Sequence, residues 1–466
     1  MANTYYTPGV YVEEVSKFPP SITAVETAIP VFIGFTQQAV NDGKEVIGTP
    51  VRISSLLEYE NIFGKAQKEE NLIVTLSTDQ SGTRYTVSYD TAPDKGLSRH
   101  ILYYSLQQFY ANGGGPCYII SVGKYLDLGF PIVDQEPFTD ALTELRKLDE
   151  PTLIIFPEGQ NMPKDTYQSL LEAALKQCFE LKDRFVIMDL FDNGLTLKTE
   201  AAILEAANEF RNKISSPQQH LSYGAVYFPN IRSTFDYDYD ETKIKIVNGS
   251  AATFPGLNNL EKANVKLAIS NFSIILPPSS AVAGVYARVD NARGVWKAPA
   301  NEGLLSVSGV TCDISDSIQA NLNVDTNAGK SVNAIRFFSG KGIKIWGART
   351  LDGNSNEWRY VSVRRYFNMV EESTKKASEG FVFEPNDANT WVKVKAMIEN
   401  FLINQWRAGA LAGAKPEHAF YVKIGINETM TAFDILEGRM IVEIGLAVVR
   451  PAEFIILRFS HKMQES

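Results

Sequence analysis

The residues that could do chemistry are few and poorly spaced for it. The four histidines, His100, His220, His418 and His461, lie far apart, and none stands in a metal spacing such as H-E-x-x-H. They read as core or surface histidines, not ligands. Gly340-Lys341-Gly342 and Gly113-Gly114-Gly115 invite a phosphate loop, but neither continues into G-x-x-x-x-G-K-[ST], so both read as turns. Asp313, Asp316 and Asp325 are too loosely spaced for a calcium loop. The acidic run from Asp236 to Glu241 reads as a solvated loop. No G-x-S-x-G nucleophile elbow occurs. The three cysteines, Cys117, Cys178 and Cys312, have no paired spacing and suit small buried hydrophobes in a reducing compartment. The expectation is no catalytic residue, no metal and no cofactor.

Charge offers a different chemistry, that of docking. Arg359, Arg364 and Arg365 cluster at the start of one expected helix; Lys393, Lys395 and Arg407 lie on the next, with Lys415 beyond it. Basic groups near a helix N-terminus need a partner to offset the dipole. Two readings stay open: salt bridges within the chain, or an interface.

The elements that position these groups change in texture along the chain. At 466 residues there is room for about three domains, and 44% hydrophobic content is enough for a large core. The net charge of −9 argues against a general nucleic-acid binder. No signal peptide is visible, and no run reaches the roughly 18 apolar residues of a membrane span, so synthesis and assembly are expected in the cytoplasm, without direct membrane insertion. Ser54 to Gly64 has a serine cap and a glycine stop. Leu72–Leu76 and Arg84–Tyr89 read as a hairpin within an insertion at 65–99. From Phe138 to Phe228 apolar strands alternate with amphipathic helices, the pattern of a parallel sheet covered by helices. Residues 231 to about 262 read as loop. From Trp358 two helices are followed by strands at Ala419–Ile424, Met440–Val449 and Glu453–Phe459.

The ends are the unusual part. Val10, Tyr11, Val12 and Val15 favour extended chain, Pro8 and Gly9 break any helix, and Pro19-Pro20 keeps the next residues extended. This is strand-forming sequence with no local partner, a template for another chain. At the other end Phe454, Ile455, Ile456, Leu457 and Phe459 put large apolar groups on both sides of a strand. The expected architecture is α/β and α+β, multidomain: an N-terminal arm at 1–20, a body part at 21–122, an α/β middle at 123–354, a C-terminal helix-and-sheet domain at 355–450 and a C-terminal strand arm at 451–466. Both arms are expected to be exchanged between subunits.

Several stretches carry a resemblance. Thr7-Pro8-Gly9-Val10-Tyr11-Val12-Glu13-Glu14, Pro19-Pro20-Ser21-Ile22 and Ala28-Ile29-Pro30-Val31-Phe32-Ile33-Gly34-Phe35-Thr36 open the chain. Tyr103 to Tyr118, Ala281 to Asp290, Gly294 to Asn301, Trp346-Gly347-Ala348-Arg349-Thr350-Leu351 and Ala452 to Phe459 follow in order. Together they resemble the contractile sheath proteins of phage tails, and Leu181 to Asp189 is most similar to sheaths of phage-tail-like particles. The resemblance implies a non-enzymatic homopolymer, stacked as helical rings around an inner tube and meeting baseplate and cap or terminator proteins. It implies a place in a phage tail or in a contractile particle that is released or docked at a membrane. It also implies tube contacts from the C-terminal domain, for which Lys393, Lys395, Arg407 and Lys415 are the candidates. The structural alternative is a different self-assembling filament or a tail-tube protein; a tube subunit would be much shorter and largely one β-barrel, unlike the α/β middle. A hydrolase on a doubly wound sheet would leave both terminal strands unexplained.

Overall fold

The computed structural model describes residues 21–458, apart from 80, 81, 93, 94, 129–131, 193–195, 249 and 326. Contacts divide them into a large body, Glu26–Glu371 with the segment from Arg450, and a smaller body, Glu372–Val449 with the residues up to Val25.

The large body is built on a nine-stranded sheet. Its strands are short apolar runs, and six pair in parallel: Val332–Phe338, Gly224–Phe228, Phe185–Asp189, Leu153–Ile155, Pro30–Thr36 and Cys117–Lys124. Antiparallel strands close each edge, Val51–Ile53 on one side and Gly342–Ile345 with Glu302–Gly303 on the other. Pro30–Thr36 is buried throughout and pairs on both sides, Val31 lying opposite Tyr118 and Ile154. The sheet therefore runs across residue 122, where a domain boundary was expected.

Alternation along each strand feeds two cores. Val31, Ile33, Ile154, Val186 and Met188 point to one face, where the helices Glu136–Leu145, Lys164–Leu181 and Glu200–Lys213 cover them. Phe32, Ile155, Phe185, Ile187 and Tyr227 point to the other, under Leu56–Phe63, Leu102–Ala111 and Ser279–Arg293. The last two helices approach closely at Gly284, where a Cβ would stand 2.4 Å from the Phe109 carbonyl oxygen.

The hairpin forms as expected, Leu72–Asp79 against Gly82–Tyr89. The loop expected at 231–262 does not hold. Lys245–Asn248 pairs in parallel with Leu72–Asp79 and antiparallel with Ser250–Thr253, and the helix Asn259–Ser270 follows. Ile244, Ile246, Phe254, Val265 and Ile269 pack with Leu72, Val74 and Leu76 into a separate core. The insertion is half of a small layer completed by distant residues.

The helix Val361–Ser378 begins in the large body and ends in the smaller one. In the smaller body Ala388–Arg407 buries Val394, Met397, Ile398, Phe401 and Leu402 along one stripe. Phe420–Lys423 pairs antiparallel with Glu443–Leu446. The strand expected from Glu453 to Phe459 is not formed through Arg458 in the single chain, and Phe459 lies outside the described residues. Among the described residues no ladder partner meets it. Val10, Tyr11, Val12 and Val15 also lie outside the described residues.

Candidate functional site

The groups capable of catalysis are used for structure. His100 is buried against Tyr125; its Nε2 accepts the Leu126 N–H at 3.0 Å and its Nδ1 lies 3.5 Å from Glu158. His220 stacks on Phe179, and burial lowers its pKa. His418 is exposed, and His461 lies outside the described residues. Among the described residues no three His, Cys, Asp or Glu side chains group as metal ligands do. Burial pushes the Cys117 and Cys312 thiols up to about 12, far from the thiolate a nucleophile needs. The Asp189 carboxyl, pushed up to about 7 by burial, accepts the Ser279 N–H at 2.8 Å, and Glu158 accepts that of Phe35 at 2.9 Å.

Glu69 gives a pH signature. It is buried, both its oxygens accept the Ser98 N–H at 3.0 Å, and burial, opposed by that bond, raises its pKa to about 8. Its folded pKa lies above its unfolded value, so its favourable contribution is complete below the ordinary carboxylate range and is lost as pH rises toward 8. Glu69→Gln removes that dependence. Urea midpoints of variant and parent at pH 5 and pH 8 should diverge in favour of the variant, by about 1–3 kcal/mol at the higher pH; a pH-independent difference would contradict this.

The basic residues separate into two groups. Arg364 and Arg365 are buried. Arg364 bonds Asn368 at 2.8 Å and Glu371 at 3.1 Å, and lies over Trp358 and Tyr223. Arg365 pairs with Asp290 at 2.5 Å over the Tyr286 ring. Arg359 donates to the Gly353 carbonyl at 3.0 Å. For this cluster the intramolecular reading holds, since each dipole-disfavoured cation has its partner in the same body.

Lys393, Arg407 and Lys415 are exposed and Lys395 is partly exposed; none forms an ion pair among the described residues. The helix separates them. At 3.6 residues per turn Lys393 and Arg407 fall about 40° apart around the axis and about 21 Å apart along it, while Lys395 is turned about 200° from Lys393. Lys393 and Arg407 thus share one flank of the buried stripe and Lys395 takes the other. Lys415 precedes the short helix Pro416–Ala419.

Among the described residues, the C-terminal segment carries a run of exposed apolar side chains. Phe454, Ile455, Ile456 and Leu457 are 70–79% exposed in succession. The residue before them is fixed: Glu453 takes two hydrogen bonds from Arg349, at 2.9 and 2.6 Å. Sequence reasoning assigned Arg349 and Glu453 no role, although both stand in the quoted motifs. The one local signal was an acidic residue directly before an apolar run.

A family model for the phage tail sheath C-terminal domain matches residues 354–462. The chain is similar over 99% of its length to 99% of a chain in the contracted sheath complex of PVC, an extracellular contractile injection system, at 30% identity and a TM-score of 0.66. It is similar over 99% of its length to the whole of a chain in the six-fold symmetrised baseplate of the anti-feeding prophage AFP, at 31% identity and a TM-score of 0.63. The tail sheath protein of Burkholderia phage BcepMu is 29% identical over 151 residues, a match spanning 31% of that protein.

Proposed function

This chain belongs to the contractile sheath proteins of phage tails and contractile injection systems, and we propose that it polymerises as helical rings around an inner tube and contracts to drive that tube into a target envelope. The family is structural, not enzymatic. The observation that carries the reading is the end-to-end likeness to a sheath chain at 30% identity, both chains being covered to 99%.

The mechanism needs no nucleotide. Energy is held in the interfaces of an extended lattice, and a baseplate trigger lets each ring repack into a shorter, wider one. Subunits must slide without separating. Exchanged strands allow this, because main-chain hydrogen bonds persist while the arm linkers bend. A head-to-tail contact that does not close on itself gives a filament. The partners in this reading are further copies of the chain, the inner tube, the baseplate and a cap or terminator. Its setting is a phage tail or a released or membrane-docked particle. The tube-facing element is the helix Ala388–Arg407, on the flank bearing Lys393 and Arg407, where an acidic tube surface would be steered to dock.

Electron microscopy of the chain expressed with its tube protein tests both levels. The parent should give hollow striated cylinders enclosing tubes. Lys393→Glu with Arg407→Glu should give cylinders with at least tenfold less tube, at a folding cost below about 0.5 kcal/mol for each surface change. Dispersed monomers from the parent would reject the sheath. Full tube content in the variant would reject only this flank.

A further inference from the structure

Both chain ends are tied to a buried arginine. Near the N-terminus, the Thr27 hydroxyl donates to Asp290 at 2.6 Å and the Thr27 carbonyl accepts from Arg365 at 2.8 Å. Asp290 and Arg365 are themselves a buried ion pair. Near the C-terminus, the Glu453 carboxylate accepts from Arg349 Nε and Nη2, from the Asn323 amide at 2.7 Å and from the Tyr360 hydroxyl at 3.2 Å.

The arginine at the C-terminal root is anchored in turn. Its N–H donates to Asn333 Oδ1 and its carbonyl accepts from Asn333 Nδ2, both at 2.8 Å. Asn333 is buried on the strand Val332–Phe338, and its amide also reaches the Val226 carbonyl on the neighbouring strand. Gly347 permits the approach, since a Cβ there would stand 2.8 Å from Asn333 Oδ1. A line of fixed groups thus runs from the parallel sheet to Glu453. Beyond it, among the described residues, Phe454 to Arg458 make no hydrogen bond to the body. Terminal residues ordinarily fray, so an attachment of one residue to three others, followed by exposed apolar chain, marks a root.

We propose that the Arg349–Glu453 and Arg365–Asp290–Thr27 clasps fix the points from which the two arms depart, so that each arm is presented to a second copy of this chain from a set position. This rests on the sheath reading. When the lattice rearranges, bending is confined to residues before Val25, whose N–H also bonds Ser373 Oγ at 3.0 Å, and after Glu453, and pull on the C-terminal arm passes into the sheet. A fixed root also shortens the free tether. Freeing Glu453 moves the last held residue back to Val449, whose N–H bonds the Ala410 carbonyl at 3.1 Å. The free tether to Phe459 then grows from six residues to ten, about 1.7-fold, which lowers the local concentration of its end roughly twofold.

The test has two readouts: a spin label on Ile455→Cys in the full chain carrying Cys312→Ser, read only below assembly, and the critical concentration for sheath formation, read on the full chain without the label or these two changes. Diluted below assembly, the parent label should show hindered motion. Glu453→Ala should shift it to the mobile spectrum and raise the critical concentration for sheath formation roughly twofold. Glu453→Gln, which keeps hydrogen-bonding capacity but not the charge, should fall between. Thr27→Val should raise the critical concentration by less than Glu453→Ala, because the Arg365 bond to its carbonyl remains. An unmoved label, or an unchanged critical concentration, in Glu453→Ala overturns the clasp and leaves the sheath intact. A parent that forms no sheath at any concentration overturns the sheath reading, and the clasps' role with it.

Discussion

A chain lacking residues 1–18 is expected to fold fully and to form no sheath. Val10, Tyr11, Val12 and Val15 are strand formers with no local partner, and what they can pair with is another copy. The cut leaves the attachments seen among the described residues in place. The Val25 N–H bonds Ser373 Oγ at 3.0 Å, Thr27 meets Asp290 and Arg365, and Pro30–Thr36 sits at the centre of the parallel pairing. Circular dichroism and the unfolding midpoint should therefore match the parent, while sedimentation and negative stain should find no long polymer at concentrations where the parent is fully assembled. Long sheaths from the truncated chain would show that rings stay joined without this arm.

What could be seen in advance divides by the range of the interactions. The parallel strands from Leu153 to Phe228 were legible because each is a short apolar run beside an amphipathic helix, as Phe185–Asp189 is beside Lys164–Leu181, whereas Val332–Phe338, which pairs with Gly224–Phe228, was not legible. The small layer was legible only in its local half. Leu72–Asp79 and Gly82–Tyr89 are hairpin neighbours, but Lys245–Asn248 joins the same sheet from far along the chain. Ile244 and Ile246 alternate with Lys243 and Lys245, a strand signal masked by the acidic run just before it. Charge was the least legible property. Nothing local to Arg365 indicates Asp290, or to Arg349 indicates Glu453; both pairs exist because the sheet and its helices bring distant segments together. Lys393 and Lys395 show the reverse case, two residues apart in sequence yet placed on opposite flanks by helical geometry.

Ile456→Pro should leave the single chain unaffected and abolish the sheath. In the isolated chain residues 451–458 form no strand and Ile456 is 77% exposed, so proline there removes no ladder bond and leaves no cavity. A change at such a position costs within about 0.5 kcal/mol. In the lattice the balance differs. If the arm enters a sheet of a neighbouring copy, proline deletes one N–H donor and distorts the strand, at about 3 kcal/mol or more by analogy with helix interiors. That cost recurs at every subunit, and because each ring rests on the last, a penalty of this size per contact is enough to prevent growth. The Glu453 root is spared, because the restriction that proline places on Ile455 is toward extended backbone, the form an exchanged strand adopts. The variant therefore separates the arm from its root: the label experiment on Glu453 changes where the arm starts, whereas Ile456→Pro changes whether it can pair. Matching unfolding midpoints with loss of cylinders in negative stain is the expected result. Normal contractile sheaths from Ile456→Pro would mean that the exposed run Phe454–Leu457 is covered by side-chain packing alone, and that rings are joined by contacts within the bodies instead of by exchanged strands.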